Sequence, residues 1–307
     1  MTLDADGFSY SITRTGNQTT YGVTGGGRTV SELLTWAFGA GKVGQSFLFE
    51  KDGRIHEARV SYYNSIQRLG LTPNRTPGAP KSVEEAAARV VPDAEVRRCF
   101  ACHTTASSVL PTNPPSRKSA SARQAPTNPT NPTNPTNPIS GVTCEACHGP
   151  GRQHVTIMRN AKAGTGVAAD IGLLRVRSLS PTDSVDFCGS CHATFWDVKL
   201  AGEKGIAALR SQPHRLQSSK CWQEGDARLT CAACHDPHKP LVRESVSYDA
   251  RCTTCHKPSE AHAVSAGAPP RVCKVATRDC VSCHMPKYEV PDMHFQFTDH
   301  LIRVAGN

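Results

Sequence analysis

The chain has 307 residues, a formal charge of +9 and 38% hydrophobic residues, with 22 Pro, 24 Gly, 14 Cys and 13 His. That composition excludes a conventional hydrophobic core running the whole length, and no apolar run of about eighteen residues offers a membrane-spanning helix. The opening Met1 to Gly7 has neither a basic region nor an apolar stretch, so no signal peptide is present, and the chain is expected to be a processed form or a piece of something longer.

Residues 1–75 read as a small β-rich region. Phe8, Tyr10 and Ile12 alternate with polar neighbours, and Thr19 to Val23 follow a Gly16-Asn17 turn. Gln45 to Glu50, an Asp52-Gly53 pair and Ile55 to Tyr63 predict a hairpin. Between these, Ser31 to Phe38 fits either a short helix or a buried strand. Residues 76–110 hold a linker, a helix and a first cysteine-rich site. Ser82 caps a helix running to about Val90, with Glu84 and Glu85 at its positive end. Pro92 stops it, and a second short helix carries Cys99. Residues 111–139 are a Pro/Asn/Thr low-complexity surface insertion suited to polyproline II or disorder. Its Asn-Pro-Thr units fail the N-glycosylation rule because the middle residue is Pro. Residues 140–307 carry the remaining cysteine-rich sites, with Ser180 and Pro181 as N-cap and first helical residue of a helix that leads to Cys188.

The cysteines decide the chemistry. Twelve of them fall in six copies of C-x-x-C-H: Cys99 and Cys102 with His103, Cys144 and Cys147 with His148, Cys188 and Cys191 with His192, Cys231 and Cys234 with His235, Cys252 and Cys255 with His256, and Cys280 and Cys283 with His284. Chance composition gives about 0.03 copies. On one helical turn the two thiols share a face and the imidazole comes next under it. That arrangement suits two thioether bonds to a haem whose iron takes the imidazole as axial ligand. Zinc ribbons also use paired C-x-x-C units, but no rule there places His after each pair. A thioredoxin-like site needs one C-x-x-C near a βαβ pattern. Six haem c groups, each with its iron, are therefore expected.

From Cys99 to His284 the chain has about 31 residues per motif, too few for an ordinary core, so the porphyrins must supply the apolar interior and folding should depend on their insertion. The fold is predicted to be mainly short α-helices and irregular coil wrapped on a stack of six haems, with a small N-terminal antiparallel β-sheet.

Six irons bound by six proximal histidines leave seven others for the opposite faces. His154 and His238 lie too near their own motif to reach across it, so each is expected to ligate a neighbouring haem. His294 and His300, beyond the last motif, can fold back. His214, His262 and His56 are further candidates. Met285 and Met293 are alternative axial groups that would raise a potential. Cys221 and Cys273, the two thiols outside the motifs, most simply form a disulfide in an oxidising compartment, with a thiolate ligand as the sharper reading.

The charge is not a nucleic-acid signal. Each ferric haem with two propionates adds about −1 and each ferrous one about −2, taking +9 to about +3 or −3. Arg97, Arg98, Lys239 and Arg243 fit propionate partners. Attachment of haem c outside the cytoplasm implies a periplasmic, extracellular or cell-surface protein. Its expected partners are redox proteins or neighbouring copies of itself.

Cys144-Glu-Ala-Cys-His-Gly-Pro-Gly151 with His154, Cys231 to His238, and Cys280 to Lys287 followed by His294 and Phe297-Thr-Asp-His300 resemble the multihaem c-type cytochromes of the doubled C-x-x-C-H type. Related to these are the tetrahaem cytochrome of ammonia oxidisers and, more distantly, pentahaem nitrite reductase and hydroxylamine oxidoreductase. The resemblance covers about Gly7 to Val304. Members often carry a further motif and a distal His upstream of the sheet region. This chain starts after that point, which would leave one iron open or ligated by a stand-in such as His56. The resemblance, with the ligand count, implies electron transfer along mostly bis-His low-spin haems and no catalytic residue, with filament formation as a variant. A reductase acting on nitrite, hydroxylamine or a sulfur oxyanion at one five-coordinate haem is the alternative. The nitrite reductases carry a C-x-x-C-K motif, whereas all six motifs here end in His. A haem-based sensor is a third reading.

Overall fold

The computed structural model describes residues 1–73, 78–105, 139–161, 171–223, 228–256, 273 and 276–305. The alternation and closely spaced turns of the first seventy residues produce antiparallel ribbons. Strands β1 (Thr2–Ala5), β2 (Phe8–Thr15), β3 (Gln18–Gly25) and β4 (Arg28–Leu33) form one antiparallel sheet in that order. Strands β5 (Trp36–Phe38), β6 (Gly44–Lys51), β7 (Arg54–Tyr63) and β8 (Arg68–Leu71) form a second, also in chain order.

Two sequence expectations change here. Ser31 to Phe38 is neither a helix nor one strand, because it divides between β4 and β5. The helix expected to reach Val90 ends early: α1 covers Val83–Ala87, and Ala88–Val90 leave it as β9, pairing with β7 from Ala58 to His56. Edge pairing on β7 satisfies backbone groups that three more helical residues would have satisfied internally. The sheet region is also larger than the small sheet expected. It buries Tyr10, Tyr21, Val23, Phe49, Val60 and Leu69 together with Val83 and Ala86 of α1. The Tyr21 hydroxyl donates to the Ala87 carbonyl at 2.8 Å, tying the helix end to the sheet.

After β9, α2 (Asp93–His103) runs into β10 (Thr104–Thr105), which pairs antiparallel with β11 (Ile139–Ser140). Short helices follow: α3 (Cys144–His148), α4 (Arg152–Asn160), α5 (Pro181–His192), α6 (Phe195–Ala201), α7 (Gln212–Gln217), α8 (Lys220–Gln223), α9 (Cys231–Cys234), α10 (Asp249–Thr253) and α11 (Cys280–His284). A final ribbon pairs β12 (Lys287–Glu289) with β13 (Gln296–Thr298).

The chain divides into two compact units. One comprises Met1–Tyr62 and Arg68–Val176, the other Tyr63–Gln67 and Arg177–Asn307. Among the described residues of the second, the buried apolar side chains are Tyr63, Val185, Val198, Ala208, Leu209 and Leu216. Trp196 and Leu200 stand 67% and 86% exposed. That is sparse packing for so many residues. Among the described residues no helix is long and apolar enough to cross a membrane. The low-complexity insertion lies, apart from Ile139, outside the described residues, as does His262.

Candidate haem-binding sites

All six C-x-x-C-H motifs sit on short helical turns, and local chemistry sets each one. In α2, Val96 and Phe100 pack with Leu48, Ile55 and Val91. Trp36 and Phe38 meet the Phe100 ring edge-on at 5.5 and 5.2 Å. This anchors the turn of Cys99 and Cys102 on the second sheet, and burial raises the Cys99 thiol. The His103 ring stands edge-on to Phe38 at 5.2 Å. Arg89 braces the start of the helix, forking onto both Glu95 oxygens at 2.8 and 2.5 Å and reaching Glu57.

The motifs are linked in successive pairs. Thr105, two residues beyond His103, accepts from the Thr143 amide at 2.9 Å and donates to the Gly141 carbonyl at 2.9 Å, setting the N-terminus of α3. In the second unit, the Cys188 thiol is held below its usual value by the adjoining Cys231 thiol, and that contact together with burial pushes Cys231 up. Burial raises the Cys252 and Cys280 thiols, which also adjoin. Asp249, at the start of α10, accepts from the Asp279 and Cys280 amides at 2.7 and 2.9 Å, capping α11 from the neighbouring motif's helix.

Several imidazoles are oriented by backbone carbonyls. Nδ1 of His148 lies 2.9 Å from the Leu174 carbonyl and that of His284 lies 2.6 Å from the Arg303 carbonyl. Nδ1 of His154 meets the Ile171 carbonyl at 2.9 Å, and that of His300 the Thr298 carbonyl at 3.0 Å. A proton on Nδ1 that is donated to a carbonyl leaves the Nε2 lone pair for a metal, the usual outer support of a ligating imidazole.

The remaining candidates differ. His235 lies with its ring centroid 6.1 Å from that of His300, the planes 39° apart, and Tyr248 covers its other side at 5.4 Å. His192 and His256 are exposed at their helix ends. His238 is exposed beside Asp236, whose carboxylate takes the His238 amide at 3.0 Å. His294 holds a left-handed backbone, φ 47°. Its ring meets Tyr63 edge-on at 4.8 Å, in a cleft of about 380 Å³ that Arg243, Lys287 and Phe295 also line. His214 is buried in α7 against the Phe195 ring, and its Nδ1 has no hydrogen-bond partner. Burial, then Lys199 and Arg215, lowers its basicity. His56 stacks on Phe49 at 5.4 Å within β7. Cys221 is half-buried in α8 and Cys273 is exposed.

These residues fit haem. Each motif offers two thiols and an imidazole along one turn, whereas among the described residues no three His, Cys, Asp or Glu converge to hold a bare metal ion. Two imidazoles sharing an iron through bonds of about 2 Å need ring centroids roughly 6 Å apart, the separation of His235 and His300. Exposed apolar side chains flank the motifs, among them Val142, Leu174, Trp196, Leu200 and Leu241, supplying surface for porphyrins to cover.

No family model matches the chain. It is 28% identical over 155 residues to the multihaem cytochrome MtrA of Shewanella baltica, a stretch that is 50% of this chain and 38% of that protein. Over that stretch the chain is similar to a multihaem c-type cytochrome. It spans less than half the length of that curated relative. The crystal structure of the outer cell wall cytochrome OcwA aligns with 85% of this chain and 66% of its own, at 14% identity and a TM-score of 0.43.

Sequence reasoning missed the groups that brace the motifs and orient the candidate imidazoles, Thr105, Ser219, Asp249 and the carbonyls of Ile171, Leu174 and Arg303. Thr298 and Asp299 stood within the singled-out Phe297-Thr-Asp-His300 run, but for its histidine alone.

Proposed function

We propose that this chain is an electron-transfer protein with six covalently attached haems, most or all of them bis-His and low-spin, acting outside the cytoplasm. The haem supplies one-electron iron chemistry when bound. The chain's residues provide attachment through the paired thiols, axial imidazoles of fixed direction and linkage between successive sites. Thr105 ties the first motif to the second and Asp249 ties the fifth to the sixth, and close spacing of successive motifs is what a conducting series of haems requires. Two strong axial ligands leave no position for a substrate, so the reading depends on distal imidazoles being available. The observation that carries it is the 6.1 Å separation of the His235 and His300 rings. His154 and His294 are assigned as further distal ligands, with His238, His214, His262 and His56 as the pool for the rest. Redox proteins or further copies of the chain are the partners, and end-to-end association into a filament is compatible with an iron whose distal ligand comes from another copy.

The test is a chemical count of haem per chain followed by low-temperature EPR of the oxidised protein. Six haems, all low-spin, are expected. A high-spin haem that binds CO or nitrite in the unmodified protein would overturn the closed-iron reading and favour a reductase.

A further inference from the structure

His300 sits in a stretch that follows β13 and has no regular structure of its own, yet nearly every polar group around it is pinned. Asp299 immediately precedes it, with its side chain 3% exposed. Its two oxygens take both arms of Arg215, Nε to Oδ1 at 2.8 Å and Nη2 to Oδ2 at 2.6 Å. Oδ1 also accepts from the Leu301 amide at 2.9 Å, while the Asp299 amide donates to the Pro286 carbonyl at 2.9 Å. Ser219, four residues past Arg215, donates to the His300 carbonyl at 3.2 Å and accepts from the Ile302 amide at 2.9 Å. Four consecutive residues, 299 to 302, are thereby fixed, and the one chemistry-bearing side chain they present other than Asp299 itself is the His300 imidazole.

A buried ion pair is a poor choice if stability alone is wanted, because desolvating the two charges offsets most of their attraction. What a bidentate guanidinium fork adds is direction. We propose that Arg215, Asp299 and Ser219 form a latch that positions His300 as the second axial ligand of the iron bound at the Cys231–His235 motif. This rests on the haem reading above. It deepens that reading by naming the residues that hold His300 at that iron. Spacing along the sequence had pointed His300 only back towards the chain's earlier motifs.

The geometry selects His235 as the opposite ligand. The two ring centroids lie 6.1 Å apart, and the His300 Nδ1 is engaged by the Thr298 carbonyl, leaving Nε2 for metal. The neighbouring imidazole of His192 is the competing candidate, so the test must separate the two irons.

The test uses the full haem-loaded chain, with haem content, EPR and CO-difference spectra measured for each variant. The unmodified protein comes first, since an open haem there would be a failure of the general reading and not of the latch. Asp299→Asn keeps the shape but loses the charge, and Arg215→Lys offers a point charge in place of the fork. Each should leave the haem count unchanged and turn a fraction of one haem per chain high-spin and CO-reactive. His300→Ala should do so completely, and His300→Met should restore a low-spin haem at a raised potential. Adding Cys231→Ala and Cys234→Ala to the Asp299 variant should abolish the new signal. The proposal is overturned if all haems stay low-spin in the Asp299 and Arg215 variants while only thermal stability falls. It is equally overturned if the new signal survives loss of the Cys231 and Cys234 attachments.

Discussion

At the residue scale, side chains far away in the sequence brace the motifs and their surroundings: Thr105 works on Gly141 and Thr143, 36 and 38 residues away, and Arg215 works on Asp299, 84 residues away. No local pattern announces such partners. Thr105→Val should therefore cost about 1 kcal/mol, because it removes two part-buried hydrogen bonds, to the Thr143 amide and the Gly141 carbonyl. Denaturant unfolding of the haem-loaded protein measures it. Asp249 gives a pH prediction. The Asp279 and Cys280 amides hold its carboxyl below the usual carboxylate range. A depressed folded value means that this stabilisation is present above the unfolded value, about 3.9. It is lost as pH falls through the lower folded value. Thermal midpoints of the unmodified protein and Asp249→Asn should differ at pH 6 and converge as the medium is acidified below about pH 4.

Elements were read well where a cap or turn carried the information. Ser180 accepts from the Asp183 amide at 3.1 Å, and Pro181 opens α5 as expected. The Asp52-Gly53 turn joins β6 to β7 as the sequence implies. The reading failed where long-range pairing overrode local preference: Ala88–Val90 look helical but complete an edge of β7. One tight contact was invisible beforehand. Gly189, between the two cysteines of the third motif, packs so closely that an added Cβ would lie 2.9 Å from Thr194 Cγ2 and 3.1 Å from its Cα. Thr194 caps α6 through a reciprocal box with Asp197. Gly189→Val should push the two helices apart at a cost of about 1–3 kcal/mol. It should also lower haem incorporation at Cys188 and Cys191, read as haem per chain and as a lower unfolding temperature.

For the molecule as a whole, the buried aromatic core belongs to the sheets, while the second unit keeps few buried side chains. Apolar packing therefore stabilises the sheets, and on the proposed reading the helical stretches should depend on haem insertion. In cells that cannot attach haem, the sheet region should still resist proteolysis while the helices of the second unit are cut. Phe49→Ala should destabilise the sheets by about 3–5 kcal/mol without changing the spin state of any haem. The carbonyls behind His148, His154, His284 and His300 carry one more consequence. On the proposed haem reading, an imidazole already braced from behind would have little room to turn or shift when its iron gains or loses an electron. The reorganisation accompanying each hop is then confined to bond lengths and nearby solvent. At the same small driving force, braced sites exchange electrons faster than sites whose rings must first settle.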